Sequence, residues 1–342
     1  MAERSLELDV FRDLLEQSEV VGQLAKEEKA FTAVYEAFRA QDPKAYTDAL
    51  ERLKLTPFCR LVCEWIRIKE CVFRCLELCG PPKAITDFNP RLLAEAIVRI
   101  TADPALLKRL VEAVEKPDRD AFQRLVTEQK LDAYCHLFCH WICAVRYRLI
   151  CHWLCSPDRP RRPDFIGELQ AAGRALRLLL AKRDVFDAAV AASNAGDTAK
   201  LGAILRGPEL FQLCYLICEW FCSLRCVLAC LTLCRQFPLT AIENPIHEAY
   251  EFGGAVGQLA QQPAELQRLS VAIGAGDART YSSLIEQLKL QRFCLQLCHW
   301  ICTLRCRRFC SLVCPPIFDH PWFTHVGDFS ITGDFNAGTG LT

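Results

Sequence analysis

The residues best able to do chemistry in this 342-residue chain are its 22 cysteines, and all of them lie in four short windows. The first window reads CRLVCEWIRIKECVFRCLELC from Cys59 to Cys79, and the second CHLFCHWICAVRYRLICHWLC from Cys135 to Cys155. The third reads CYLICEWFCSLRCVLACLTLC from Cys214 to Cys234, and the fourth CLQLCHWICTLRCRRFCSLVC from Cys294 to Cys314. Each spans 21 residues and is built on a cysteine at every fourth position, with one exception in each of the first two. The last two windows carry all six rungs: Cys214, Cys218, Cys222, Cys226, Cys230 and Cys234, then Cys294, Cys298, Cys302, Cys306, Cys310 and Cys314. The first has Arg67 at its third rung, leaving Cys59, Cys63, Cys71, Cys75 and Cys79. The second has Tyr147 at its fourth, leaving Cys135, Cys139, Cys143, Cys151 and Cys155.

Two chemistries suit this spacing. Side chains at i and i+4 stack along one helix face with Cβ atoms about 5–6 Å apart, so two thiols can share one small ion. A disulfide within one helix is badly placed, since it wants Cβ atoms about 3.8 Å apart. All 22 cysteines are therefore candidate ligands for a soft metal. Copper(I) suits a pair of thiolates on one helix, and zinc would gather four ligands from two helices.

The alternative is a ladder of disulfides between helices. Four residues turn a helix by roughly 400°, so the stripe drifts about 40° per rung. Either the helices wind right-handedly about each other, as a period above 3.6 requires, or different rungs face different neighbours. If the first two cysteine helices run antiparallel, Arg67 faces Tyr147, so the two gaps become partners through a cation–π contact. The cysteines then pair as Cys59 with Cys155, Cys63 with Cys151, Cys71 with Cys143, Cys75 with Cys139 and Cys79 with Cys135. The last two windows pair likewise, from Cys214 with Cys314 through to Cys234 with Cys294. A third, blander reading makes cysteine a small buried apolar residue that lets helices approach closely.

In its Cys-x-x-x-Cys pairs the chain resembles the bacterial copper-storage proteins, which line a helical bundle with such pairs. The resemblance covers the four windows alone, and the chain departs from that family in length, in its long repeat and in having one methionine. The spacing is also similar to that of the mitochondrial twin Cys-x3-Cys proteins, which separate their pairs by a loop. The resemblance to the copper stores implies copper(I) storage or sequestration.

The elements that must position these cysteines are legible as a four-fold repeat. The windows start 76, 79 and 80 residues apart, a period typical of helical arrays. Seventeen residues before each first cysteine stands an aspartate: Asp42, Asp118, Asp197 and Asp277. Each reads as the N-cap of a short helix, with a folding role. Thirteen residues before it stand Tyr46, Phe122, Leu201 and Tyr281, which suit a core, as do the recurring Trp65, Trp141, Trp220 and Trp300. Val21-Gly22-Gln23-Leu24-Ala25 returns as residues 256–260 in the same register. The expected architecture is all-α, three or four helices per unit, in a bundle or short solenoid. Its units cover 1–82, 83–160, 161–238 and 239–316, with prolines such as Pro81 and Pro157 closing the cysteine helices. Residues 317–342 are rich in glycine and aromatics. They read as a hairpin, an extended arm available for self-assembly, or a β segment cut short.

The remaining signals exclude more than they propose. Basic and acidic residues balance at 41 each, against the basic surplus of a nucleic-acid binder. The single basic knot, Arg159 to Arg162, reads as a solvated linker. Phe211 to Cys234 is apolar enough to raise a membrane span. Mid-helix charges in sister windows, such as Glu64, Lys69 and Arg307, argue instead for buried helices of a bundle. No phosphate loop, nucleophile elbow or HExxH site occurs, so an enzyme is not expected. The N-terminal stretch lacks an apolar signal core, which makes the cytoplasm the default compartment, or an oxidising one if the cysteines are bridged. His136, His140, His152 and His299 each follow a cysteine and are expected at the surface. Arg225 and Arg305 precede a rung and could stabilise thiolates. The residue after the second rung alternates Glu64, His140, Glu219, His299, as if a two-unit block had been duplicated.

Overall fold

The computed structural model describes residues 2–82, 85, 87–156, 163–237 and 244–314. Residues 317–342 and the basic knot at 159–162 lie outside these. Among the described residues there is no strand, and sixteen α-helices carry the fold. The first quarter holds α1 (Ala2–Leu24), α2 (Glu28–Arg39), α3 (Pro43–Arg52) and α4 (Cys59–Cys79). The second holds α5 (Pro90–Ala102), α6 (Pro104–Glu115), α7 (Arg119–Glu128) and α8 (Cys135–Leu154). The third holds α9 (Phe165–Leu180), α10 (Arg183–Ala195), α11 (Thr198–Leu205) and α12 (Cys214–Leu233). The fourth holds α13 (Pro245–Ala260), α14 (Pro263–Ala275), α15 (Ala278–Gln287) and α16 (Cys294–Val313). A single 3-10 turn precedes each of α4, α8, α12 and α16.

Local chemistry fixes where these helices begin. The side chains of Asp42, Asp118, Asp197 and Asp277 accept hydrogen bonds from backbone N–H groups in the first turns of α3, α7, α11 and α15. They satisfy donors that the helix itself leaves open. Asn89 and Asn244 do the same for α5 and α13, each followed by proline at the first helical position, where its missing N–H does no harm. The residue just before the capping aspartate takes a left-handed conformation in three quarters: Gln41 at φ 54°, Gly196 at 69° and Gly276 at 66°. Pro117 holds that register in the second quarter, and its ring forbids such a φ.

Helices α4, α8, α12 and α16 form the centre. Each packs on two of the others in the cyclic order α4, α8, α12, α16 and back to α4. The shorter helices surround them, and their pairing is offset by one quarter: α1 packs on α13, and α5 on α9. Contact between the first and fourth quarters closes the array into a bundle instead of an open solenoid. Tyr46, Phe122, Leu201, Tyr281 and the four tryptophans are all buried in one continuous core. The window Phe211–Leu233 is long and apolar enough to cross a membrane by composition, and 67% of it is buried inside the bundle.

Candidate functional site

The cysteine helices meet as two antiparallel pairs, α4 with α8 and α12 with α16. Seven cysteine pairs stand at disulfide distance: Cys59–Cys155, Cys63–Cys151, Cys79–Cys135, Cys214–Cys314, Cys222–Cys306, Cys230–Cys298 and Cys234–Cys294. Their Cα atoms are 5.5–5.8 Å apart along both ladders, within the usual range for a bridge. All seven obey the antiparallel register expected from the windows. Rungs at both ends of a ladder face the same neighbour, so the alternative in which different rungs face different helices does not hold. A four-residue stripe stays on one partner only if the helices wind about each other.

Eight cysteines are free thiols: Cys71, Cys75, Cys139, Cys143, Cys218, Cys226, Cys302 and Cys310. They too face across the ladders, Cys71 toward Cys143, Cys75 toward Cys139, Cys226 toward Cys302 and Cys218 toward Cys310. The two ladders distribute them differently. In the first, the four thiols make two consecutive rungs beside the Arg67 and Tyr147 gap, and Sγ atoms of Cys75, Cys139 and Cys143 lie within 4.8 Å of one another. In the second, the two unbridged rungs are separated, each lying between bridged ones. Cys226, Cys230 and Cys302 also converge within 4.8 Å, but Cys230 is bridged to Cys298, and a bridged cysteine offers no thiolate to a metal.

Burial governs these thiols. It pushes Cys71, Cys75, Cys226 and Cys310 well above the ordinary thiol range, because a thiolate loses its hydration there. Burial pushes Cys143 up as well, yet hydrogen bonds from Cys139, Cys71 and Cys75 and the Arg74 guanidinium outweigh it and hold that thiol well below. Cys302 is also lowered, by its hydrogen bond from Cys226 against burial, helped by the charges of Arg225 and Arg305. Those arginines have structural duties too. Arg225 donates to Ser193 O at 2.7 Å near the C-terminus of α10, and Arg305 bonds Ser270 O and pairs with Glu7.

The gap in the first ladder is filled in an unexpected way. Tyr147 does not receive Arg67. Its hydroxyl donates to Glu70 at 3.4 Å, its ring lies 5.8 Å from Phe38, and Arg146 is the cation 5.6 Å from it. Arg67 turns toward the second pair and lines a small cavity of about 40 Å³ with Tyr215 and Glu219. Long polar side chains cannot share a seam only 5.5 Å across, so one of the two leaves it.

The histidines also overturn their expected place. His140 and His299 are buried and stack with ring centroids 4.9 Å apart across the bundle. His136 is largely covered and meets Gly80 O at 2.9 Å. Desolvation lowers His136 and His140 to about 4 and holds His299 well below its ordinary value. The alternation of Glu64, His140, Glu219 and His299 now has a physical meaning. The two glutamates pair with arginines at one register, Glu219 with Arg148 and Glu64 with Arg307, while the two histidines meet each other. Comparison with protein-family models, with curated proteins and with solved structures gives no match for this chain.

Proposed function

We propose that this chain is a non-enzymatic structural scaffold suited to oxidising surroundings, in which antiparallel cysteine helices are stapled in pairs. The observation that carries this reading is the seven cysteine pairs at bridging distance in a single register. Each spans 56–100 residues of sequence, and closing a loop of that size stabilises by about 4–5 kcal/mol in the chain-entropy account. The bridges are nested, so each later one closes a shorter effective loop and contributes less. Disulfides persist in secreted, luminal or particle-surface settings, and so many bridging pairs favour such a setting over the cytoplasm.

A second reading has its own observation. Cys71, Cys75, Cys139 and Cys143 form a contiguous set of four thiols from two helices, the ligand number that a structural zinc ion takes and a chemistry that copper(I) also accepts. Soft-metal binding confined to that block is compatible with staples elsewhere.

One experiment separates the readings: a free-thiol count on protein purified in air and denatured with chelator but no reductant, alongside metal analysis. The scaffold reading expects eight thiols or fewer. Near 22 thiols with several bound copper or zinc ions would sink it and establish a metal store. Eight thiols with one ion per chain would assign the metal to the central block of the first ladder.

A further inference from the structure

One rung is unlike the rest. Of the eight free thiols only Cys302 is not buried. It opens on a cavity of about 580 Å³ between the second ladder and its surrounding helices, a size typical of small-molecule sites. Cys226 faces it across the ladder, with Sγ atoms within 4.8 Å. The rungs on either side are bridged, with Cα atoms 5.5 Å apart, so the frame holds this pair at bridging distance as well. Two guanidinium groups border the same cavity. Arg305 is matched by Glu7, whereas Arg225 has the Ser193 carbonyl and the Phe309 ring, over which it lies 5.8 Å from the centroid, as partners and, among the described residues, no carboxylate within ion-pair distance. Asp197 also lines the cavity, so its two acids and two arginines balance overall, but Arg225 sets an unpaired positive charge locally beside a partly exposed thiol, the setting in which cysteines react.

We propose that Cys302 and Cys226 form a thiol–disulfide exchange site for a small anionic disulfide bound in this cavity. The Cys302 thiolate attacks one sulfur of the incoming disulfide RSSR, forming a Cys302–SR mixed disulfide and releasing RS⁻. The Cys226 thiol then gives its proton to bulk solvent and attacks Cys302 Sγ, forming the Cys226–Cys302 bridge and releasing the second RS⁻. Two electrons leave the cysteine pair and reduce RSSR to two thiolates. Arg225 attracts the anionic substituent and the thiolate leaving group. Cys302 is the attacking residue and Cys226 the resolving one, because Cys226 is buried behind it. The other unbridged rungs cannot take this part, as both of their cysteines are buried.

This inference takes the bridged neighbours from the scaffold reading, and the test keeps the two apart. The full-length folded chain, purified anaerobically and without added reductant so that Cys226 and Cys302 stay as thiols, is mixed with dianionic 5,5′-dithiobis(2-nitrobenzoate) and, separately, with neutral 4,4′-dithiodipyridine. The wild type is expected to release two equivalents of thionitrobenzoate in one fast phase and keep no adduct. Cys226→Ser releases one equivalent and keeps one adduct, which peptide mapping places on Cys302. Cys302→Ser loses the fast phase. Arg225→Gln slows the anionic reagent about tenfold, as a lost nearby charge would, and leaves the neutral reagent within about twofold. A fast phase that survives in Cys302→Ser, or an adduct mapped elsewhere in Cys226→Ser, overturns the proposal. Mapping serves even if Cys302→Ser does not fold. The denatured thiol count reports on the scaffold reading independently, since near 22 thiols would defeat the ladders without touching the assignment of the fast phase.

Discussion

The bundle has two kinds of seam, and they are held by different physics. Within each half, α4 meets α8 and α12 meets α16 at Cα separations of 5.5–5.8 Å across cysteine. Between the halves no bridge occurs among the described residues. There, charge and shape take over: Arg148 of α8 joins Glu168 and Glu219, Arg308 of α16 joins Asp13 of α1, and Trp300 donates to Gln17 at 2.6 Å. The contrast teaches that the small side chain, and not only the bond, shapes the stapled seam. Larger residues go where helices stand further apart, and there they must find polar partners.

Reduction should produce the largest effect. A folded domain is stable by about 5–15 kcal/mol, and several bridges each contributing up to about 4 kcal/mol span much of that range. Thermal unfolding followed by far-UV circular dichroism, with and without dithiothreitol, is expected to show a large fall in Tm. An unchanged Tm would mean that packing of cysteine as a small apolar residue holds the seam, and the bond is incidental.

Next in size is Arg148→Met, aimed at the unstapled seam. Arg148 is 7% exposed and faces two carboxylates from different helices. Removing it leaves both acids in a largely buried seam without their cation, a change that costs about 3–5 kcal/mol. Urea unfolding of the oxidised protein should show this loss. The same loss in Arg148→Met/Glu219→Met would show that Glu168 alone carries the penalty.

Much of this was legible in the sequence, and the limits were physical. The aspartate caps and the tryptophan anchors follow from local chemistry, and the antiparallel register from the four-residue period and the matching gaps at Arg67 and Tyr147. Long-range choices did not follow. Nothing in a window says that α1 packs on α13 and not on α5, because amphipathic helices carry no address. The histidines were misplaced for a related reason: a residue after a cysteine points about 100° away from the ladder, and that direction is solvent in a helix pair but interior in a four-helix centre. Arg67 was expected opposite Tyr147 by rung counting alone, which ignores how little room the rung leaves. The block of four central thiols could have been suspected from the gap rungs beside it.

The histidine stack offers a pH-dependent way to open the unstapled seam. His140 protonates near 6.5 in an unfolded chain but only near 4 in the fold, because burial disfavours its charge. Between those values the unfolded state binds more protons, so stability is intact above pH 6.5 and falls as pH drops toward 4. For His140 alone the loss is about 3 kcal/mol. His299 faces it and is also held well below its ordinary value by burial, with His140 and Lys69 adding repulsion, so the pair should reinforce the slope. Unfolding free energies measured from pH 7 to pH 4 for wild type and His140→Gln should diverge in the acid range. Parallel curves would assign acid sensitivity to carboxylates and not to the stack.

The smallest effect is also the one whose sign is most telling. Gly22 of α1 and Gly257 of α13 cross so closely that a Cβ on Gly22 would stand 2.7 Å from the Gly257 Cα atom. Backbone cannot yield as a flexible side chain can, so Gly22→Ala must push the two helices apart. The gain in helix propensity is about 1 kcal/mol, and overpacking costs about 1–3 kcal/mol, giving net destabilisation. Gly254, also within α13, has nothing within 4 Å of its would-be Cβ. Gly254→Ala should therefore stabilise by up to about 1 kcal/mol. Opposite signs from one glycine on each of the two helices would locate the close approach at the Val-Gly-Gln-Leu-Ala crossing. Equal stabilisation would mean that α1 and α13 stand further apart, and that the unstapled seam owes its strength to its charges alone.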